Sequence, residues 1–438
     1  MSPDRTARAA ISRTDRTGRL IQRVHGRQIL DSRGHPTVEV DVTLASGARG
    51  RAAVPVGSST GHYEALELRD GGRAWGGRGV SSAIANIEGE IGRNVVGLDA
   101  RNQEMVDALM LELDGTSSLL RLGSNAVLGV SLAVARAAAA DAGESLWRYL
   151  SGAAEITEIP TPMISALDGG VHADNGLLVQ EFMLVPLSAA CFSQALQMCA
   201  ETYDELGHKL LARGLSRAVG EVGGFAAQLG STEDALGLLV AAIHAAGYEP
   251  GVDIAIALDV AASELVDIDG DGYRHEHEAE PLSSEEMIVY WTQLCDRFPV
   301  VSLEDPLGEE DWSGWRELTQ RLGGRVQLVG DDLFVTRSSL LQLGIDQRAA
   351  NAILVKPNQV GTLTRTLQVI ELARAAGYRT IMAHRSGDTE DTTIADLSVA
   401  TGCNYVKFGA PARSERAAKY NRLLRIAEQL DAAAQPTS

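Results

Sequence analysis

From Ile21 onward, apolar and polar residues alternate in three short runs, IQRVHGRQIL, TVEVDVTLA and RGRAAVPV. A period of two turns one face of each run toward a core and the other toward solvent. With DSRGHP and SGA as turn signals between them, the runs predict an antiparallel three-stranded meander. The period then lengthens. SSAIANIEGEIGRNVVG, RNQEMVDALMLELDG and SNAVLGVSLAVARAAAADAG repeat their apolar positions at helical spacing after polar starts. They predict helices that complete, with the meander, an α+β domain over residues 19–155. Residues 1–18, MSPDRTARAAISRTDRTG, lack periodic apolar positions and read as a flexible extension.

Beyond EIPTP, short apolar strands alternate with helices through a second domain, 156–438. The strands end on chemistry: DIAIALD at Asp259, VVSLE at Glu304, VQLVGD at Asp331, AILVK at Lys356, TIMAH at His384 and NYVK at Lys407. After one wide gap these ends recur at about the length of a βα unit. An open doubly wound sheet has the same spacing. Only a barrel, however, brings six titratable strand ends to one pocket at its C-terminal mouth. No GxGxxG or GxxxxGK[ST] phosphate loop is present. The expected fold class is α/β, a C-terminal TIM-type (β/α) barrel carrying the active site behind the N-terminal α+β domain.

Asp259, Glu304 and Asp331 would bring three carboxylates to one point, a costly arrangement unless a divalent cation neutralises it. Oxygen-only ligands favour magnesium over zinc. A single strand-end aspartate is ordinarily a helix cap, but three at barrel spacing followed by two lysines form a site. Lysine is scarce here: among 39 basic residues it occurs only at 209, 356, 407 and 419. Arginine holds its proton, whereas a lysine amine can be tuned to release it. Lys209 and Lys419 read as incidental. Lys356 beside a metal would lose basicity and accept a proton, while magnesium-bound carboxylate oxygens of the substrate took up enolate charge.

A net charge of −19 opposes nucleic acid as a partner and requires local cations for any anionic substrate. No uninterrupted apolar run reaches the roughly 18–20 residues of a bilayer span, and the first residues lack a signal-peptide core, so no membrane partner and a cytoplasmic address are expected. The scattered Cys191, Cys199, Cys295 and Cys403 read as buried free thiols. DIDGDGYRHEHE, 267–278, matches a calcium-loop pattern through Asp267, Asp269, Asp271, Gly272 and Glu278. Arg274 occupies an apolar position of that pattern and LDVAASELV precedes it as a strand, so a hairpin is the expected structure.

The runs DSRGHPTVEV, STGHYEALELRD, LGSNAVLGVSLAVARA, QEFM, SLEDPL, GDDL, KPNQVGT, HRSGDTEDT and GAPARSER occur in order from about residue 20 to about residue 430. In them the chain resembles enolase, the magnesium-dependent lyase that interconverts 2-phosphoglycerate and phosphoenolpyruvate. The resemblance implies up to two magnesium ions. It makes Asp259, Glu304 and Asp331 the principal ligands and Ser59, in the loop VGSSTGHYE, a ligand to a second ion on closure. It makes Lys356 the base at C2 and Lys407 the cation for the substrate carboxylate, with Arg385 and Ser386 on the phosphate. His172, Gln180, Glu181 and His384 would line the site. A homodimer or higher homo-oligomer is implied as well.

The match breaks at active-site loops. The family's Gly-Asp-Glu-Gly-Gly run, whose Glu is the general acid for the departing hydroxide, reads Gly220-Glu221-Val222-Gly223-Gly224. Valine donates no proton, and general acid help is worth about 10²–10⁴ in rate; Glu221 is the neighbouring carboxylate that would replace it. Val56 stands for a serine, His35 for an asparagine, and the loop at 170–175 reads GVHADN. The metal and base set is complete while the leaving-group side is altered. The expected function is therefore an enolase-type lyase specialised for an analogue of 2-phosphoglycerate, a small phosphorylated or phosphonylated three-carbon acid. Carboxyphosphonoenolpyruvate formation in phosphonate or phosphinate antibiotic biosynthesis is one example. Ordinary enolase activity is the alternative, and a catalytically impaired paralogue the third reading.

Overall fold

The computed structural model describes residues 17–58, 61–154, 156–267, 272–276, 278 and 280–434. The meander forms as the alternation predicts: β1 (Ile21–Leu30), β2 (Pro36–Leu44) and β3 (Arg49–Ala53) pair antiparallel in sequence order. Val38, Val40, Val42 and Leu44 of β2 bury one face without exposure. Against that face lies the Ser124–Ala142 helix. Its alanines let it approach so closely that a Cβ on Gly50 would stand 2.1 Å from the Ala133 carbonyl oxygen, which makes glycine obligatory there. On its other side the helix meets Pro357–Gln359 and Leu363–Ala375 of the second domain. Burial between two layers explains an all-round apolar helix whose length and composition would also suit a membrane span.

Eight further strands close into a barrel in the order β10-β11-β4-β5-β6-β7-β8-β9. They are β4 (Thr161–Asp168), β5 (Glu181–Pro186), β6 (Ile254–Asp259), β7 (Val300–Glu304), β8 (Gln327–Gly330), β9 (Ala352–Val355), β10 (Arg379–Ala383) and β11 (Tyr405–Lys407). The barrel expected from the spacing is all-parallel, and this one is not. β5 runs antiparallel to both β4 and β6. The link between β4 and β5 contains only one 3-10 turn, Gly170–His172, and lacks the crossover helix that a parallel return requires, so the chain reverses. The reversal carries the first residue of β5, rather than its last, to the C-terminal mouth of its neighbours.

Two smaller expectations need correction. LDVAASELV is strand only to Asp259 and then forms a 3-10 turn, Ala262–Leu265. Antiparallel bridges Val266–Tyr273 and Tyr273–Leu282 accord with a hairpin, while Asp269 and Asp271 lie outside the described residues. Cys191 is exposed, unlike the other three thiols, because it precedes the first turn of the Phe192–Ala212 helix at the surface.

Candidate active site

Local strand geometry delivers the predicted groups to one mouth. Asp259 pairs with Glu181 on one side and Glu304 on the other, and Asp168 pairs with Glu181. Asp331, Lys356 and His384 each follow the last residue of β8, β9 and β10, and Lys407 ends β11. Lys407 Nζ lies 2.6 Å from Asp259 Oδ2, 3.0 Å from both Glu304 oxygens and 3.2 Å from Glu181 Oε1. Burial favours its neutral form, but the three carboxylates outweigh that and hold it well above the usual lysine range. Lys356 donates to Asp331, and Gln359 Nε2 donates to the other Asp331 oxygen at 3.0 Å. Here too burial opposes the charge, and Asp331 with Glu304 overcomes it, so Lys356 sits above its ordinary value.

The acid set fits a divalent cation. Glu304 is fully buried, and burial followed by repulsion from Asp259 and Asp331 pushes its carboxyl well above normal despite Lys407. Excess negative charge of this kind calls for a positive ion. Gln180 donates to Asp259 Oδ2 at 3.2 Å, and its own buried Oε1 has no hydrogen-bond partner among the described residues. A tighter carboxylate group joins Asp331 to Asp305 and Asp332, with ligand oxygens within 4.8 Å of one another. Asp305, however, accepts the backbone N–H groups of Asp331 (3.0 Å) and Asp332 (2.8 Å), so it shapes the turn that presents Asp331.

Arg385 and Ser386, the residues expected on a phosphate, are already engaged within the protein. Arg385 is buried and makes a forked pair with Glu64 at 2.9 and 3.1 Å. Ser386 Oγ accepts from the Ser58 backbone N–H at 2.7 Å and lies 2.9 Å from Ser58 Oγ. Ser59 lies outside the described residues. His384 Nδ1 receives Arg416 Nη1 at 2.6 Å, and burial with neighbouring cations drives the imidazole well below its usual value, leaving it neutral. His172 is buried, with Nδ1 3.6 Å from Glu181 Oε1; burial lowers it also, against the pull of Glu181.

Val222 is fully buried; its N–H donates to Asp168 Oδ2 at 3.3 Å, and its carbonyl accepts the Ala410 N–H at 3.0 Å. Glu221 does not join the lysine cluster. Its Oε2 lies 4.0 Å from Arg33 Nη1 of the DSRGHP turn, and among the described residues it makes no ion pair with Lys356 or Lys407. The adjoining residue of a turn points elsewhere, and here it points toward the N-terminal domain.

Several groups escaped the sequence reading. Glu64 reaches Arg385 from the N-terminal domain, and Arg416 serves His384 and three loop carbonyls. Lys419, read as incidental, is 1% exposed and pairs with Asp388 at 2.8 Å. Glu64 lies in STGHYEALELRD, and Arg416 ends GAPARSER, so the quoted motifs held the signal without the partner.

The chain matches two family models, "Enolase, N-terminal domain" over residues 21–150 and "Enolase, C-terminal TIM barrel domain" over residues 156–437. It is 53% identical over 415 residues to the protein named "Enolase" of Acidothermus cellulolyticus (strain ATCC 43068 / DSM 8971 / 11B), an alignment covering 95% of this chain and 96% of that one. With the converging acids and lysines at the barrel mouth, these matches place the chain in the enolase family, as a metal-dependent hydro-lyase.

Proposed function

We propose that this protein binds magnesium and dehydrates 2-phosphoglycerate to phosphoenolpyruvate. The observation that carries this reading is Lys356 and Lys407 held within one carboxylate cluster, beside the buried Arg385 and Ser386, in a chain 53% identical to a named enolase. The likeness extends over nearly the whole chain and favours the ordinary substrate over the specialised phosphonyl analogue. No described residue supplies a specific argument for a carboxyphosphonyl group.

Asp259, Glu304 and Asp331 would hold the cation, which when bound offers charge stabilisation to substrate oxygens. Lys407 binds the substrate carboxylate from among Asp259, Glu181 and Glu304. Arg385 exchanges its Glu64 partner for phosphate, where a planar fork matches the anion. Lys356 removes the C2 proton once Asp331 is neutralised.

The test is deuterium exchange at C2 of 2-phosphoglycerate together with product formation. Both are expected to require magnesium, and Lys356→Ala is expected to abolish exchange. Absence of exchange and product at saturating magnesium would overturn the reading. Faster turnover of a carboxyphosphonyl analogue than of 2-phosphoglycerate would replace it with the specialised one.

A further inference from the structure

At the end of the barrel opposite the acids and lysines, the strand starts surround a further cavity, of about 460 Å³. That size falls within the roughly 300–1,000 Å³ of small-molecule sites. Inward positions of a closed barrel are ordinarily filled by bulky branched side chains, and in the middle of this one they are: Val329, Leu354 and Ile381 belong to a buried apolar cluster. Two residues earlier on β8 and β10, hence on the same face, stand Gln327 and Arg379. Ser302 lies two residues before Glu304 on β7, and Tyr405 two before Lys407 on β11. All four line the cavity, so the base layer is polar where the layer above it is apolar.

Its charge is one-sided. In a chain of 58 acidic and 39 basic residues, no carboxylate among the described residues lines this cavity, whereas Arg325 and Arg379 do. Arg325 is already held, with Nη2 2.5 Å from Asp296 Oδ1 and Nη1 3.4 Å from the Cys295 carbonyl oxygen. The guanidinium of Arg379, by contrast, makes no ion pair or hydrogen bond among the described residues. A free planar fork of this kind matches a carboxylate. Unlike the exposed Arg379, Gln327 is only 5% exposed. Its Nε2 donates to Ser302 Oγ at 3.1 Å, and its buried Oε1 has no partner among the described residues. Turning the amide over would only move the deficit to the nitrogen. A buried polar atom in that state is costly, and a polar group on a bound molecule would relieve it. Apolar wall is supplied by the Tyr405 ring, packed on the barrel interior, and by Leu187.

We propose that this base cavity binds a small aromatic monocarboxylic acid that carries a second hydrogen-bonding group. Arg379 takes the carboxylate, Tyr405 and Leu187 take the ring, and the Gln327 amide takes the remaining polar group. None of these residues belongs to the mouth, so the inference stands apart from the dehydration reading.

The probe is 4-hydroxybenzoate, titrated calorimetrically into the whole protein with magnesium present, and its uncharged counterpart is 4-hydroxybenzamide. Saturable one-to-one binding of the acid is expected, with a Kd below about 1 mM. Binding is expected to weaken by at least about tenfold for the amide, and likewise for the acid with Arg379→Gln, the scale of one charge-assisted pair. Arg379→Lys keeps the charge without the fork and is expected to fall in between. Arg379 is exposed at the start of β10, so both variants should melt with the parent. Tyr405→Ala, which removes the ring wall, is the independent variant and is also expected to weaken binding by at least about tenfold. Saturating phosphoenolpyruvate is expected to change the Kd by less than about twofold. Lack of saturable binding up to about 10 mM, parent-like binding by Arg379→Gln, or displacement of the probe by phosphoenolpyruvate, which would locate it at the mouth, would each overturn the proposal. A protein that binds the probe as expected and yet forms no phosphoenolpyruvate would sink the dehydration reading alone.

Discussion

Arg416 is a side chain on which two site segments hang, residues 384–386 and the turn at Glu221, and replacing it with methionine removes the donors while keeping most of the volume. The residue has no exposure. Its Nη1 donates to His384 Nδ1 and to the Arg385 carbonyl, both at 2.6 Å, and its Nη2 to the carbonyls of Glu221 at 3.1 Å and Ser386 at 2.5 Å. Ser386 keeps a second donor in Ser32 Oγ at 3.2 Å. Each buried acceptor left without a donor costs about 1–3 kcal/mol. Relief of the guanidinium's own desolvation, visible in burial pushing Arg416 below its usual value, offsets part of that. The net loss expected from removing one member of a buried charged network is about 3–5 kcal/mol, a large share of the ~5–15 kcal/mol that holds a domain folded. Unfolding entropy of about 2.1 cal/mol/K per residue, applied to the whole chain, converts that to a drop in melting temperature of about 3–6 °C. Scanning calorimetry reads the drop. Product formation is expected to fall further than stability, because the backbone at residues 221, 385 and 386 loses its common anchor. Melting within about 1 °C of the parent with an unchanged kcat would refute the reasoning, since the four bonds would then have no net worth.

The half-buried Glu67 lies near Arg69 and Arg385, where burial raises its carboxyl to about 7 against the pull of Arg69. A folded-state value above the unfolded one means stability that is present at low pH and lost as pH rises through about 7, a contribution of up to about 3 kcal/mol. Glu67→Gln should flatten the decline in melting temperature between about pH 5 and pH 8; an undiminished slope would assign it to another group. Gly224→Ala forces a methyl group against Asp168 Oδ1 and should displace the turn, costing about 1–3 kcal/mol and most of the product formation. Gly230→Ala, where a Cβ meets nothing within 4 Å, is the control, and equal behaviour of the two variants would show that the turn tolerates the shift.

The resemblance named the family from motifs, and the residue pattern alone placed the meander, the helices against it, and six strand ends at one mouth. Those features depend on short-range rules: a period of two or 3.6 sets which face is buried, and a parallel strand delivers its last residue to the same end as its neighbour. The reversal of β5 breaks that rule, and it is what carries Glu181, a strand's first residue, beside Asp259. Pairings such as Glu64 with Arg385, 321 residues apart, and Arg416 with His384 have no local periodicity to announce them. The same holds for Glu221 and Asp168. Sequence alone showed that position 222 lacks an acid and offered the adjacent carboxylate as its substitute. Only tertiary packing decided that Glu221 turns toward Arg33 while Asp168 lies buried under the glycines, because a side chain's direction and the dielectric around it are set by neighbours remote in the chain.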